Sequence, residues 1–302
     1  MSEKVEEAII ALIKQRGPLT GAEIRNAIPL EGLELWQACF KCPHLKVRTV
    51  GTRYLRLDRR LPEFARLSPS IWRSFLTYSV IGFTDPHNGL EQRTADLSRH
   101  IEAVSRSKLD VAFQTVSALA AEVENVEKQA CFIIAGDIVY NMSHDVPRPE
   151  RSTGKMVNGS DMDLVVLVSD QCPESYTNRL DEAIYRAKFR LLLTPHLREE
   201  VDYVIKPFSR VREQVRFDSF VHMLACKILQ EGTFLYGNEL LFEDVKTLLR
   251  TEGAVEKLKK METAARAHRR NAEKLLKNVP PGNISQETLD LFYPSEESEE
   301  FE

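Results

Sequence analysis

The stretch that most constrains this chain is NGSDMDLVVLV, residues 158–168, where two aspartates open an apolar, β-branched run. A short apolar run of this kind predicts a buried strand. Side chains alternate along a strand, so Asp161 and Asp163 point the same way, about 7 Å apart along the chain. Two like charges that close are unfavourable unless a positive charge sits with them. A divalent cation meets that need, and carboxylate oxygens suit magnesium.

The rest of the chain sets the frame for such a site. With 302 residues, 43% of them hydrophobic, it is long enough for roughly two ordinary domains. A formal net charge of −4 argues against coating nucleic acid by bulk charge, though local basic patches remain available. No apolar run approaches the ~18 residues of a membrane span, and the opening MSEKVEEAIIALIKQRG reads as an amphipathic helix rather than an export signal. The five cysteines are therefore expected to be reduced thiols in a cytoplasmic protein. Cys39 and Cys42 form a CxxC with His44 nearby, but no second close pair completes a zinc set. They read as small apolar residues on one helix face. The seven histidines show no ligand spacing.

Along residues 1–60 the pattern predicts three helices, the second with Thr20 as N-cap and Glu23 completing a capping box. LKVRTVGTRYLRLD then predicts two strands turned around Gly51. That order resembles a winged helix-turn-helix, a module that often binds DNA or RNA and also docks proteins. Lys46, Arg48, Arg53 and Arg56 make the hairpin basic, and Gln37 and Lys41 offer a recognition face on the third helix. Residues 61–127 are expected to be a mostly helical connector, broken at Pro62, Pro69 and residues 85–89. Residues 128–250 carry the chemistry. ACFIIAGD predicts a strand ending at Gly136, followed by a polar loop to residue 160 and the aspartate strand over 162–168. A helix over 174–193, a strand bearing Asp202, and helices over 211–231 and 238–250 complete this part. A charged helix over 253–278 and an acidic tail, expected to be disordered, fill residues 251–302. The helix stretch TAARAHRRNAEKLLK reads as an exposed face, with nucleic-acid contact as the alternative.

Strand with glycine, loop, strand with Asp-x-Asp, helix, strand with aspartate: this order resembles the nucleotidyltransferase superfamily that includes DNA polymerase beta, especially its small bacterial members. Gly136 matches that family's glycine, Ser160-Asp161-Met162-Asp163 its paired carboxylates, and Asp202 its third. KILQEGTFLYGNELLFEDV looks like the helix and turn that follow the core in small members. The resemblance covers about residues 128–245 and implies an α+β fold, a palm-like mixed sheet flanked by helices. It also implies transfer of a nucleotide from a nucleoside triphosphate, with magnesium or manganese, to a hydroxyl of an RNA end, a protein or a small molecule. Small members of this kind serve toxin-antitoxin, phage-defence and drug-modifying roles, which tilts the setting towards bacterial stress or defence.

The spacing makes chemical sense by itself. Asp161 and Asp163 are assigned to both of two metals, and Asp202 to the second metal and the attacking hydroxyl. Gly136 lets backbone amides approach a triphosphate where a helix begins. Lys227 lies on a later helix whose face could meet the phosphates, although a solvated lysine is the plainer reading.

One residue departs from the family pattern. Asp137 stands where a serine is expected, and a carboxylate facing phosphate repels it. A nearby cation would neutralise it, and Ser143, Arg148, Arg151, Ser152, Thr153 and Lys155 in the long loop offer substitutes. The TGK of residues 153–155 lacks the glycine-rich run of a P-loop. Tyr140, Tyr203 and Tyr236 are candidates for stacking on a base, and more often such residues are core or rim. Two rivals stay open: a DNA-binding regulator whose nucleotidyltransferase-like domain is inert or senses a ligand, and a nucleotide cyclase or oligonucleotide synthase.

Overall fold

The structure is a computed structural model, and it describes residues 2–61, 64–85, 89–150, 152–280 and 283–293. Pro62, most of the expected break at 85–89, Arg151 and the acidic tail beyond Tyr293 lie outside the described residues. The fold is mixed α+β, as expected. The described residues divide into two compact units: those up to His100 with those from Lys260 on, and Ile101–Lys259.

In the first unit, α1 (Ser2–Arg16), β1 (Leu19–Thr20), α2 (Gly21–Ala27), α3 (Gly32–Lys41) and β2 (Leu45–Thr49) follow the expected order. The capping box forms: Thr20 Oγ1 accepts from the Glu23 amide at 3.2 Å, and Glu23 Oε2 accepts from the Thr20 amide at 2.6 Å. Cys39 and Cys42 are free and buried, and burial beside Cys42 pushes the Cys39 thiol up to about 12. They pack as small apolar residues.

The hairpin around Gly51 does not form. β3 (Tyr54–Leu57) pairs with β4 (Ala65–Ser68), whereas β2 pairs across the sheet with β5 (Ser79–Phe83), which follows α4 (Ile71–Tyr78). The reason is burial: Val80 and Ile81 of β5 are fully buried, and all four residues of β3 are buried against β4. The basic positions are spent locally. Arg56 is 7% exposed, Arg53 lies 3.3 Å from Glu273, and Arg48 pairs with Glu91 at 2.6 Å. Gln37 is buried and donates to the Leu276 and Val279 carbonyls at 2.5 and 2.9 Å, so it offers no recognition face. The stretch expected to be a helical connector therefore supplies two strands before its long helix α5 (Leu90–Glu122) begins.

The second unit holds α6 (Val126–Gln129), β6 (Ala130–Ala135), a 3-10 turn over Gly136–Tyr140, β7 (Pro147–Pro149), β8 (Met156–Asn158), β9 (Met162–Val168), α7 (Glu174–Leu193) and β10 (Val201–Pro207). After them come α8 (Phe208–Gln214), α9 (Phe220–Glu231), β11 (Thr233–Gly237) and α10 (Glu239–Thr251). The helical stretch expected over 211–231 is divided between α8 and α9, parted where Phe217 takes a φ of +58°. The loop over 141–160 contains the small antiparallel pair β7–β8.

The sheet runs β10-β9-β6-β11, with β9 parallel to β10 and the other pairs antiparallel. Helix α7 makes the crossover that a parallel pair needs. Phe132, Ile134, Leu164 and Val166 face the apolar layer with Val116 of α5 and Leu180 and Ile184 of α7. The alternate residues Asp163 and Val165 face the other way, so one strand presents a core face and a site face.

The chain returns to the first unit through α11 (Ala254–Asn278) and α12 (Gln286–Phe292). Ala272, Leu276 and Phe292 share a core with Ile9, Ile24, Trp36 and Phe75. The stretch expected as a separate charged end, residues 251–302, thus contributes to both units, up to Lys259 in the second and from Lys260 in the first. Among the described residues no helix is long and apolar enough to cross a membrane.

Candidate active site

Asp163 sits at the centre of the site because of strand register. In the parallel pair it is the partner of Asp202, and in the antiparallel pair the partner of Ala135, the residue before Gly136. Register partners share a face, so the two carboxylates stand side by side on neighbouring strands. Gly136 closes the third side. It has a φ of +73°, and a Cβ there would fall 2.0 Å from Asp163 Oδ2. Asp163 itself is 6% exposed.

Just before the two strands begin, Asp161 and Glu200 make a second acidic tier. The Arg148 guanidinium is 3.5 Å from Asp161 Oδ2 and 2.7 Å from Glu200 Oε2, and its Nε donates to the Gly159 carbonyl at 2.7 Å. Burial pushes the Glu200 carboxyl up, Arg148 pulls it down, and Asp202 and Glu150 push it up again. Sequence reasoning missed Glu200. Its signal was its position two residues before Asp202, hence on the same strand face. It also missed Lys188 of α7, whose ammonium donates to Asp202 Oδ1 at 3.1 Å. A further missed pair, Lys108 with Glu199, is buried, and Lys108 also donates to the Asn158 carbonyl at 2.8 Å.

Several polar residues around the glycine turn, Ser160 and Lys227 among them, are engaged within the fold. The Ser160 hydroxyl donates to Asp137 Oδ2 at 2.8 Å, so a hydroxyl offsets the Asp137 carboxylate. Lys227 is not solvated: it is 5% exposed and paired with Glu231 at 2.8 Å. Glu231 also accepts from the Gly136 amide at 3.4 Å and from the Tyr140 hydroxyl at 2.9 Å. Lys227 therefore holds the glycine turn in place through Glu231. Tyr203 and Tyr236 donate to Asp181 and Glu127 at 2.8 and 3.2 Å.

Within the loop between Gly136 and Asp161 a carboxylate gathers local donors. The Glu150 carboxylate, 3% exposed, accepts from the amides and hydroxyls of both Ser152 and Thr153, at 2.5–3.0 Å. Although burial pushes it up, these hydrogen bonds hold its pKa down at about 2. Thr153 of the TGK run thus caps a carboxylate of this chain. Ser143 is fully buried, and Lys155 is exposed.

Asp161, Asp163, Glu200 and Asp202 supply only oxygen, the donor chemistry of a hard divalent cation. In donor type, and in placement on or just before two adjacent strands, they fit magnesium or manganese. As they stand, no three His, Cys, Asp or Glu side chains among the described residues are grouped to hold a metal ion. Arg148 and Lys188 carry the compensating charge, so a cation would have to displace them. Compared with family models, curated proteins and solved structures, the chain matches none.

Proposed function

We propose that residues 128–250 form a magnesium-dependent nucleotidyltransferase domain. The observation that carries this is the register of Asp163 with Asp202, beside a glycine whose missing side chain leaves room for the Asp163 carboxylate. Asp161, Asp163 and Asp202 are the residues that would hold the metal, with Glu200 alongside. Bound there, magnesium would neutralise charge on the triphosphate and its leaving pyrophosphate. Asp202, half-buried on the edge strand, accepts the proton of an acceptor hydroxyl that attacks the α-phosphate in line. Gly136 and the Lys227–Glu231 pair fix the turn at the end of β6 against which the nucleotide lies.

Incubation with labelled triphosphates, magnesium and total RNA or protein tests this. Incorporation by the wild type that Asp161→Ala loses supports transfer to an acceptor. A soluble labelled nucleotide product points instead to a cyclase or oligonucleotide synthase. No product from either protein removes the enzyme.

A second reading has its own support. Arg148 and Lys188 neutralise the carboxylates from within, and Glu231 takes the Gly136 amide. An inert or ligand-sensing domain would carry such pairs permanently. In a transferase they exchange for metal and substrate.

A further inference from the structure

Beyond Asp202, on the same face of β10, a cavity of about 320 Å³ opens between the edge strand and helix α9. Its walls include Val165, Val204, Leu224, Ala225 and Ile228, and its polar end is Lys206 with Gln214 and Arg210. That size and that balance of apolar wall to few polar groups are typical of small-molecule sites.

Lys206 is the anomaly. It is 8% exposed and its ammonium donates to the neutral amide oxygen of Gln214 at 2.9 Å, yet among the described residues no carboxylate pairs with it. Arg210 lies near and is itself paired with Glu213 at 2.5 Å. A buried cation without an anion is costly, and an acid group bound in the adjoining cavity would supply the missing charge. The surroundings agree: burial first, then Arg210, draws the Lys206 pKa down to about 8, with Cys226 opposing.

We propose that this cavity binds a small organic anion, its apolar body against Val204, Leu224 and Ile228 and its acid group on Lys206. Asp202 and Lys206 are four residues apart on one strand, a span of ~13 Å. A bound molecule of that length reaches from the ammonium to the carboxylates. The site is then the acceptor pocket of the transferase; that role rests on the reading above, whereas the binding itself does not.

The test uses two probes of nearly equal shape, 8-anilinonaphthalene-1-sulfonate and its neutral analogue N-phenyl-1-naphthylamine, followed by fluorescence with the full chain. The wild type should bind the sulfonate saturably at one site. Lys206→Met should weaken it about tenfold and Lys206→Arg should restore most of it, with the neutral probe changed less than twofold throughout. Ile228→Trp, which fills the cavity, should weaken both probes. Equal sulfonate affinity in wild type and Lys206→Met, or no saturable binding by the wild type, overturns the proposal. Asp161→Ala separates the two claims: it should keep sulfonate binding while losing transfer. Binding without transfer in the wild type sinks the enzyme alone, and transfer without binding sinks this site alone.

Discussion

Gly136 and Asp163 approach so closely that the space a Cβ on Gly136 would need is taken by the Asp163 carboxylate. A methyl group there would overlap Asp163 Oδ2 at 2.0 Å, and the +73° backbone already disfavours any other residue. Gly136→Ala should therefore cost about 1–3 kcal/mol of stability. It should also turn Asp163 away from Asp202, reducing metal affinity. Chemical denaturation and metal titration of the purified variant check both, and an unchanged midpoint removes the close approach.

Arg148 ties Asp161 to Glu200, and Glu200 is only 4% exposed. Arg148→Met leaves a buried carboxylate short of its cation, which should cost about 3 kcal/mol without metal. A bound divalent ion would supply the missing charge. The variant should therefore gain more thermal stability from millimolar magnesium than the wild type does, as read by melting curves. An equal gain in both would make Arg148 a purely structural partner.

These relationships were only partly legible in the sequence. The β9 strand could be read because its apolar, β-branched run satisfies a local rule, and the order of Asp163 and Asp202 follows from chain order alone. Glu200 carried only its spacing from Asp202; a glutamate just before a strand looks solvated until the distant β7 segment brings Arg148 to it. The hairpin at Gly51 failed for a similar reason. A turn glycine between two strands is local information, while the pairing of β2 with β5 is decided by burial of Val80 and Ile81 some thirty residues later. Lys227 read as solvated because helical spacing gives no sign that Glu231, one turn on, would be buried with it.

Lys227 and Glu231 are respectively 6% and 4% exposed in their side chains, so neither can be cut alone without stranding a charge. Lys227→Met should destabilise by about 3 kcal/mol. Joined with Glu231→Gln it should cost less than the sum of the single changes, since the stranded carboxylate is gone. A double-mutant cycle in urea measures the coupling; strict additivity contradicts the pairing.

Acid should act on the Glu150 loop. Its folded pKa, held at about 2 by the Ser152 and Thr153 hydrogen bonds, lies below its ordinary 4.5. The folded state thus binds fewer protons than the unfolded one between those values. Its stabilisation is complete above pH 4.5 and is lost as pH falls through about 2. Glu150→Gln should be less stable than the wild type at neutral pH, and the gap should close as the pH drops towards 2. Stability curves at several acid pH values test this; a constant gap assigns the loss to packing.

Cation binding at Asp163 is what the proposed transfer chemistry requires first. Calorimetric titration of magnesium or manganese into the wild type, and into Asp163→Asn with its circular dichroism unchanged, reads it directly. Saturable binding in the wild type, weakened at least tenfold in Asp163→Asn, is the expected result. The same affinity in both proteins, or no binding in either, would contradict it.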